Sequence, residues 1–176
     1  MYQTTSPLKM SVNISSKILL LDDFVDYVTS CLQEENIQAE CLAIEITENV
    51  ILEHTSIAMD TLTALQDLGV NIHIDDFGTG YSSLSYLHNF PVNALKIDRS
   101  FISKISAKGD ELEIVKTIIS LAHNLKLDVI AEGVEKKHQL STVDDLDCAY
   151  GQGFYFSKAI DAAAVPAWIK SKDIQV

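Results

Sequence analysis

Residues 71–84 read Asn71-Ile-His73-Ile-Asp75-Asp76-Phe-Gly78-Thr-Gly80-Tyr-Ser-Ser-Leu84, and this stretch decides the fold. A short β-branched run ends in two adjacent carboxylates and passes into a loop with two glycines. Like charges side by side at the end of a buried strand are costly unless something positive lies between them. A metal ion, a lysine or a helix N-terminus would serve. Taken alone, such a pair reads as a solvated turn. Matching oxygen ligands elsewhere in the chain change that reading.

Working outward from this stretch, strand and helix alternate. Short strands are predicted at Lys9–Ser15, Leu42–Thr47, 71–74, 93–97, Leu127–Ala131 and Cys148–Tyr150. Between them, Asp22 or Asp23 caps a helix with the apolar face Phe24, Tyr27, Val28, Cys31 and Leu32. A second helix starts near Ser56, presents Ala58, Leu62, Leu65 and Leu68, and stops at Gly69. A third spans Ser82–Asn89, and Asp110 with Glu113 forms a capping box for a fourth presenting Ile114, Ile118, Leu121 and Leu125. Lys137–Asp145 is a fifth, and Pro166 starts the last, in which Trp168 and Ile169 pack. Residues 1–9 read as a tail and 10–176 as one domain. The βα repetition implies a parallel sheet, either doubly wound or closed as a (β/α) barrel.

Parity separates the two. Residues two apart in a strand share a face. One face carries Val12 and Ile14, then Leu42, Ile44 and Ile46, then Ile72 and Ile74, then Leu95 and Ile97, then Val129 and Ala131. The other carries Ser11, Asn13 and Ser15, then Ala43, Glu45 and Thr47, then Asn71, His73 and Asp75, then Ala94, Lys96 and Asp98, then Ile130 and Glu132. A doubly wound sheet, covered on both faces, needs both parities apolar. A barrel tolerates polar inward residues at the rim where active sites sit. The pattern favours a barrel whose rim gathers Asn13, Glu45, Asp75, Asp76, Lys96 and Glu132, with Gln152. Asp76 has the outward parity, so the chain must bend there for both aspartates to reach one ligand.

Four carboxylates and an amide, without Cys or His, are hard donors that suit Mg²⁺ or Mn²⁺. Two such ions can clamp a phosphodiester for in-line hydrolysis, with Lys96 orienting water or holding a phosphate oxygen. His73 reads as a packed barrel histidine rather than a ligand. Gly78 and Gly80 let the loop move over the site.

The chain has 176 residues, 47% hydrophobic, with a net charge of −12, which disfavours a nucleic-acid polymer or an anionic membrane as partner. The three cysteines are widely spaced and lack a Cys-x-x-Cys pair, as expected of reduced cytoplasmic thiols. The longest apolar stretches, Ile18–Leu21 among them, are too short to span a bilayer. The five histidines lack zinc-ligand spacing.

Asp75–Leu84, Leu95-Lys-Ile-Asp-Arg-Ser-Phe-Ile102, Ala131-Glu-Gly-Val-Glu135 and Gln152-Gly-Phe-Tyr-Phe156 resemble successive signatures of the EAL family. Its members are bacterial phosphodiesterases that open cyclic di-GMP to linear pGpG. Val12-Asn-Ile-Ser15 and Glu45-Ile-Thr-Glu48 match two further signatures. The resemblance covers residues from about 10 to 160. It implies a TIM-type barrel with one strand reversed, of which about six of eight strands are present here, and a tendency to dimerise. It implies metal ligands at Asn13, Glu45, Asp75, Asp76 and Glu132, and catalytic roles for Lys96, Glu132 and Asp76, with Lys96 contacting the catalytic water. Glu48 matches the anchor of the Asp-Phe-Gly-Thr-Gly loop, and Glu135, Gln152 and Gly153 match positions near guanine and phosphate.

The sequence departs from the family at Ser157-Lys-Ala159, where proline usually follows the lysine. It also lacks the Glu-Ala-Leu segment, which supplies a metal-binding glutamate and a phosphate-gripping arginine. A weaker metal pair and low or no turnover are therefore expected, along with assembly into a homodimer or larger species through exposed barrel edges. The alternative is a catalytically inactive cyclic di-GMP-binding or protein-interaction module.

Overall fold

A computed structural model describes residues 8–53, 55–80, 87–105 and 109–171, with 51–53 and 55 described in backbone only. Six strands, β1 Met10–Asn13, β2 Leu42–Thr47, β3 Asn71–Phe77, β4 Ala94–Ile97, β5 Asp128–Glu132 and β6 Tyr150–Gln152, form one sheet in sequential order. Every neighbouring pair is parallel, so no reversed strand occurs among the described residues. A doubly wound sheet would reverse its order at a switch point, and this one does not. The fold is an open six-strand segment of a TIM-type (β/α) barrel.

The helices are α1 Ser16–Leu19, α2 Phe24–Glu34, α3 Glu48–Glu53, α4 Thr55–Asp67, α5 Arg99–Ile102, α6 Asp110–Asn124, α7 Lys137–Asp145 and α8 Val165–Ser171. The core lies between them and the outer face of the sheet. Ile44, Ile46, Ile72, Ile74, Leu95, Ile97, Val129 and Ala131, all of the helix-side parity, are fully buried. They meet Phe24 and Val28 of α2, Ala58, Leu62 and Leu65 of α4, and Val115, Ile119 and Ala122 of α6. Each large aliphatic side chain buried there contributes roughly 1.5–3 kcal/mol. Gly69 ends α4 as its spacing implies. At φ +96° its N–H bonds to the Gln66 carbonyl, and the Val70 N–H reaches back to Leu65.

Several expectations are corrected. Tyr27 is 67% exposed, although it lies on the apolar face of α2. Leu68 lies largely outside the core. In α6 the buried residues are Val115, Ile118, Ile119 and Ala122; of the expected stripe Ile118 is buried, Leu121 and Leu125 pack partly buried against the core, and Ile114 is 41% exposed. Asp110 and Glu113 form no capping box. Gly109 precedes the helix, and the Glu113 carboxylate pairs with Lys116 at 2.8 Å. The last strand is Tyr150–Gln152 rather than Cys148–Tyr150, and β3 runs on through Phe77. The expected Ser82–Asn89 helix falls mainly on 81–86, and the tail mainly on 1–7, outside the described residues. The two edges of the sheet, β1 and β6, are exposed along their whole length. No helix of the described residues is long and apolar enough to cross a membrane.

Candidate active site

The inward parity of β2, β3, β4 and β5 delivers Glu45, Asp75, Lys96 and Glu132 to one point. Lys96 is 1% exposed, the largest fully buried side chain among the described residues. Its Nζ lies 2.5 Å from Glu45 Oε2, 2.6 Å from Glu132 Oε1 and 3.0 Å from Asp75 Oδ1. An ammonium has three donors, and here each meets a different carboxylate. Of the positive groups that the Asp75-Asp76 pair requires, the lysine is the one the chain itself supplies. Burial works against the Lys96 charge, but the hydrogen bonds it donates to Glu132 and Glu45 outweigh this and hold the ammonium above its ordinary range. Burial pushes the Glu132 carboxyl up, and Lys96 only partly opposes this. One cation among three carboxylates leaves the cluster net negative.

Asp76 joins through the backbone. Ile74 pairs with Leu95 but Phe77 pairs with Ile97, so β3 spends one extra residue at 75–76. Asp76 sits at φ +55°, a left-handed conformation that aspartate tolerates better than most residues. This bulge is the bend that the parity of Asp76 demanded. It brings carboxylate oxygens of Asp75, Asp76 and Glu132 within 4.8 Å of one another. Burial raises the Asp76 pKa, and the charges of Asp75 and Asp98 add to the effect.

Asp98 was not counted with the cluster, although it stands two residues beyond Lys96 on the same parity. It caps α5 by accepting the Ser100 N–H at 2.9 Å. Burial alone would raise its pKa, but hydrogen bonds from Ser100 and Arg99 hold it below the ordinary range, so Asp76 faces a standing negative charge.

The remaining residues sit around this centre. The register sets Asn13 beside Glu45, on the exposed edge strand. His73, next across from Glu45 on β3, has its Nδ1 4.0 Å from Glu45 Oε1, and this buried nitrogen makes no hydrogen bond among the described residues. Burial keeps the imidazole neutral by lowering its pKa, against the pull of Glu45. Glu48 opens α3 and accepts the Gly78 N–H at 3.2 Å, and a Cβ at Gly80 would come within 3.0 Å of the same carboxylate. Gln152 pairs with Glu132, and both Gln152 and Glu135 are exposed at the open end of the rim. Gly153 packs on the backbone of Val134.

The donor set is oxygen throughout, clustered, net negative and partly open to solvent. It fits a hard divalent cation, and the carboxylates of Asp75, Asp76 and Glu132 lie close enough together to hold one.

A sequence model of the EAL domain matches residues 1–159. The chain belongs to the EAL domain family. The EAL domain of Mycobacterium smegmatis DcpA superposes with a TM-score of 0.87 at 37% identity, covering 93% of this chain and 73% of that one. The PaMucR phosphodiesterase, in complex with cyclic di-GMP, gives 0.85 at 36% identity, covering 89% of this chain and 70% of that one. The cyclic di-GMP phosphodiesterase NbdA of Pseudomonas aeruginosa is 39% identical over 164 residues, 93% of this EAL chain and 21% of its own length. The EAL chain spans only about a fifth to a quarter of the length of curated relatives such as these, 21% of NbdA and 19% of the Bacillus subtilis signaling protein YkoW.

Proposed function

We propose that this chain carries the site of a cyclic di-GMP phosphodiesterase, which opens cyclic di-GMP to pGpG with Mg²⁺ or Mn²⁺. The observation that carries the reading is the convergence of four strands on Lys96, three carboxylates around one buried ammonium with Asp76 swung in by the bulge. The likeness to NbdA and to PaMucR supplies the substrate class. Bound divalent ions supply Lewis-acid polarisation of the phosphodiester and a more acidic water.

The chain's own residues do the rest. Asn13, Glu45, Asp75, Asp76 and Glu132 hold the ions. Lys96 orients the attacking water and balances the carboxylates. Glu48 fixes the 77–80 turn beside Asp75 and Asp76, while Glu135, Gln152 and Gly153 face the guanine and phosphate. Residues 10–176 act as one unit, in the cytoplasm, where the three unpaired cysteines stay reduced.

A second reading is a cyclic di-GMP receptor without turnover. Incubating the chain with cyclic di-GMP and Mg²⁺ or Mn²⁺ separates the two. Slow appearance of pGpG, abolished by Asp75→Asn, supports the enzyme, and binding without product supports the receptor. A chain that neither binds nor hydrolyses refutes both, and turnover undiminished in Asp75→Asn refutes the metal assignment.

The exposed ladders of β1 and β6 support assembly of this chain into a homodimer or larger species through those edges. Light scattering of the purified chain is expected to give at least twice the monomer mass; a monodisperse monomer overturns this.

A further inference from the structure

Four polar or charged side chains are buried among the described residues, and three of them, Glu45, Glu48 and Lys96, belong to the site above. The fourth is Gln139 in the first turn of α7, 2% exposed. Its Oε1 accepts the backbone N–H groups of both Glu135 and Lys136 at 2.8 Å. Its Nε2 donates to the carbonyl of Ile102 at 3.2 Å. A glutamine that only capped α7 would need the Lys136 N–H and nothing more. The second acceptor bond reaches out of the helix into the turn after β5. The donor bond crosses to α5, which follows Lys96 and Asp98 in the chain.

The three turns at this end of the rim are tied together around that amide. A Cβ on Gly133 would lie 2.5 Å from that of Arg99, so the turns after β4 and β5 already touch. The Val134 N–H bonds to the Gln152 carbonyl at 3.0 Å, and the Tyr155 N–H returns to Val134 O at 2.9 Å. Glu135 follows directly, and its own N–H has Gln139 as partner. Glu132 is held separately, by the β5 ladder and by Lys96.

We propose that Gln139 is a positioning residue for cyclic di-GMP: it locks the 133–136 turn onto α5 and so sets the direction in which Glu135 is presented beside Gln152. This rests on the reading of Glu135 and Gln152 as the ligand-facing pair. It predicts a division of labour in which losing Gln139 weakens the nucleotide contact and leaves the metal ligands intact.

The test compares the 176-residue chain with Gln139→Leu and Gln139→Glu. The readouts are amide exchange at Glu135 and Lys136, affinity for a hydrolysis-resistant phosphorothioate analogue of cyclic di-GMP, and affinity for Mn²⁺. In Gln139→Leu both amides lose their acceptor, and exchange should quicken about tenfold, the scale of one lost hydrogen bond. Nucleotide affinity should fall about tenfold as well, with Mn²⁺ affinity unchanged. Gln139→Glu keeps an acceptor for both amides but loses the donor to the Ile102 carbonyl, so it should restore protection at Glu135 and Lys136 while nucleotide affinity stays reduced.

Unaltered exchange and affinity in Gln139→Leu overturn the proposal, as does a parallel loss of Mn²⁺ and nucleotide affinity, the mark of general loosening. If the leucine variant does not fold, Gln139→Glu decides, retained protection supporting the proposal and lost protection overturning it. An unsubstituted chain that fails to bind the analogue refutes the functional reading and the ligand half of the proposal. The exchange rates then judge the hold of Gln139 on the turn.

Discussion

Replacing Lys96 by methionine should lower the stability of the metal-free chain by about 3–5 kcal/mol, the usual consequence of removing one partner from a buried ion cluster. Methionine fills much the same volume, so the loss is electrostatic rather than a cavity. Three carboxylates that each had the ammonium nitrogen within 3.0 Å are left facing one another in a site only partly open to solvent. Acid should relieve this. The Glu132 pKa is already raised in the folded chain by burial, and without Lys96 nothing opposes that shift. A carboxyl with a raised folded pKa favours the folded state below its unfolded pKa. That contribution is lost as pH rises through the folded value. Lys96→Met should therefore lie close to the parent in stability at low pH and fall away from it as the carboxyls ionise. Mg²⁺ or Mn²⁺ should recover part of the difference at neutral pH, since a divalent ion meets the same oxygens. Denaturant titrations at about pH 4 and about pH 8, with and without Mn²⁺, read all three effects. A variant as stable as the parent at the higher pH would show that the cluster is not held by the ammonium, and one indifferent to the ion would show that these oxygens do not take a divalent cation.

The site was legible in the sequence because parity is local information. Glu45, Asp75, Lys96 and Glu132 each stand at an inward position of a strand whose alternate residues are Ile, Leu, Val or Ala, and no tertiary knowledge is needed to put them on one face. The bulge at Asp76 followed from the same count: an outward residue reaches an inward ligand only where the strand has an extra member. Helix faces were less legible. In α6 the run from Ile114 to Leu125 holds apolar residues on several adjacent rows, and the sheet, not the periodicity, selects Val115 and Ala122 over Ile114. Tyr27 sits correctly on the apolar stripe of α2 and is still exposed. Gln139 was passed over because a buried amide carries no charge signal. Only coordinates show that its partners lie on two other turns.

Gly153→Ala should detach β6 and abolish cyclic di-GMP binding while sparing the metal ligands. Gly153 has φ +156°, and a Cβ there would overlap the backbone nitrogen and carbonyl of Val134. Main-chain atoms cannot swing aside as a side-chain tip can, so the two turns must separate. That breaks the Val134 to Gln152 and Tyr155 to Val134 bonds, at a local cost of about 2–4 kcal/mol for two backbone hydrogen bonds with poor alternatives. β6 is a three-residue edge strand with one neighbour, so it should let go by itself rather than unfold the sheet. Gly151 is the control. A Cβ there meets ring carbons of Phe156 at 3.2 Å, and that ring is partly exposed and free to turn. Gly151→Ala should cost well under half as much. Amide exchange at Val134 and Tyr155, with Mn²⁺ and cyclic di-GMP titrations on both variants, distinguishes them. Equal tolerance of alanine at 151 and 153 would mean that the turns after β5 and β6 do not depend on backbone contact. Glu135 and Gln152 would then need some other reason to stand together.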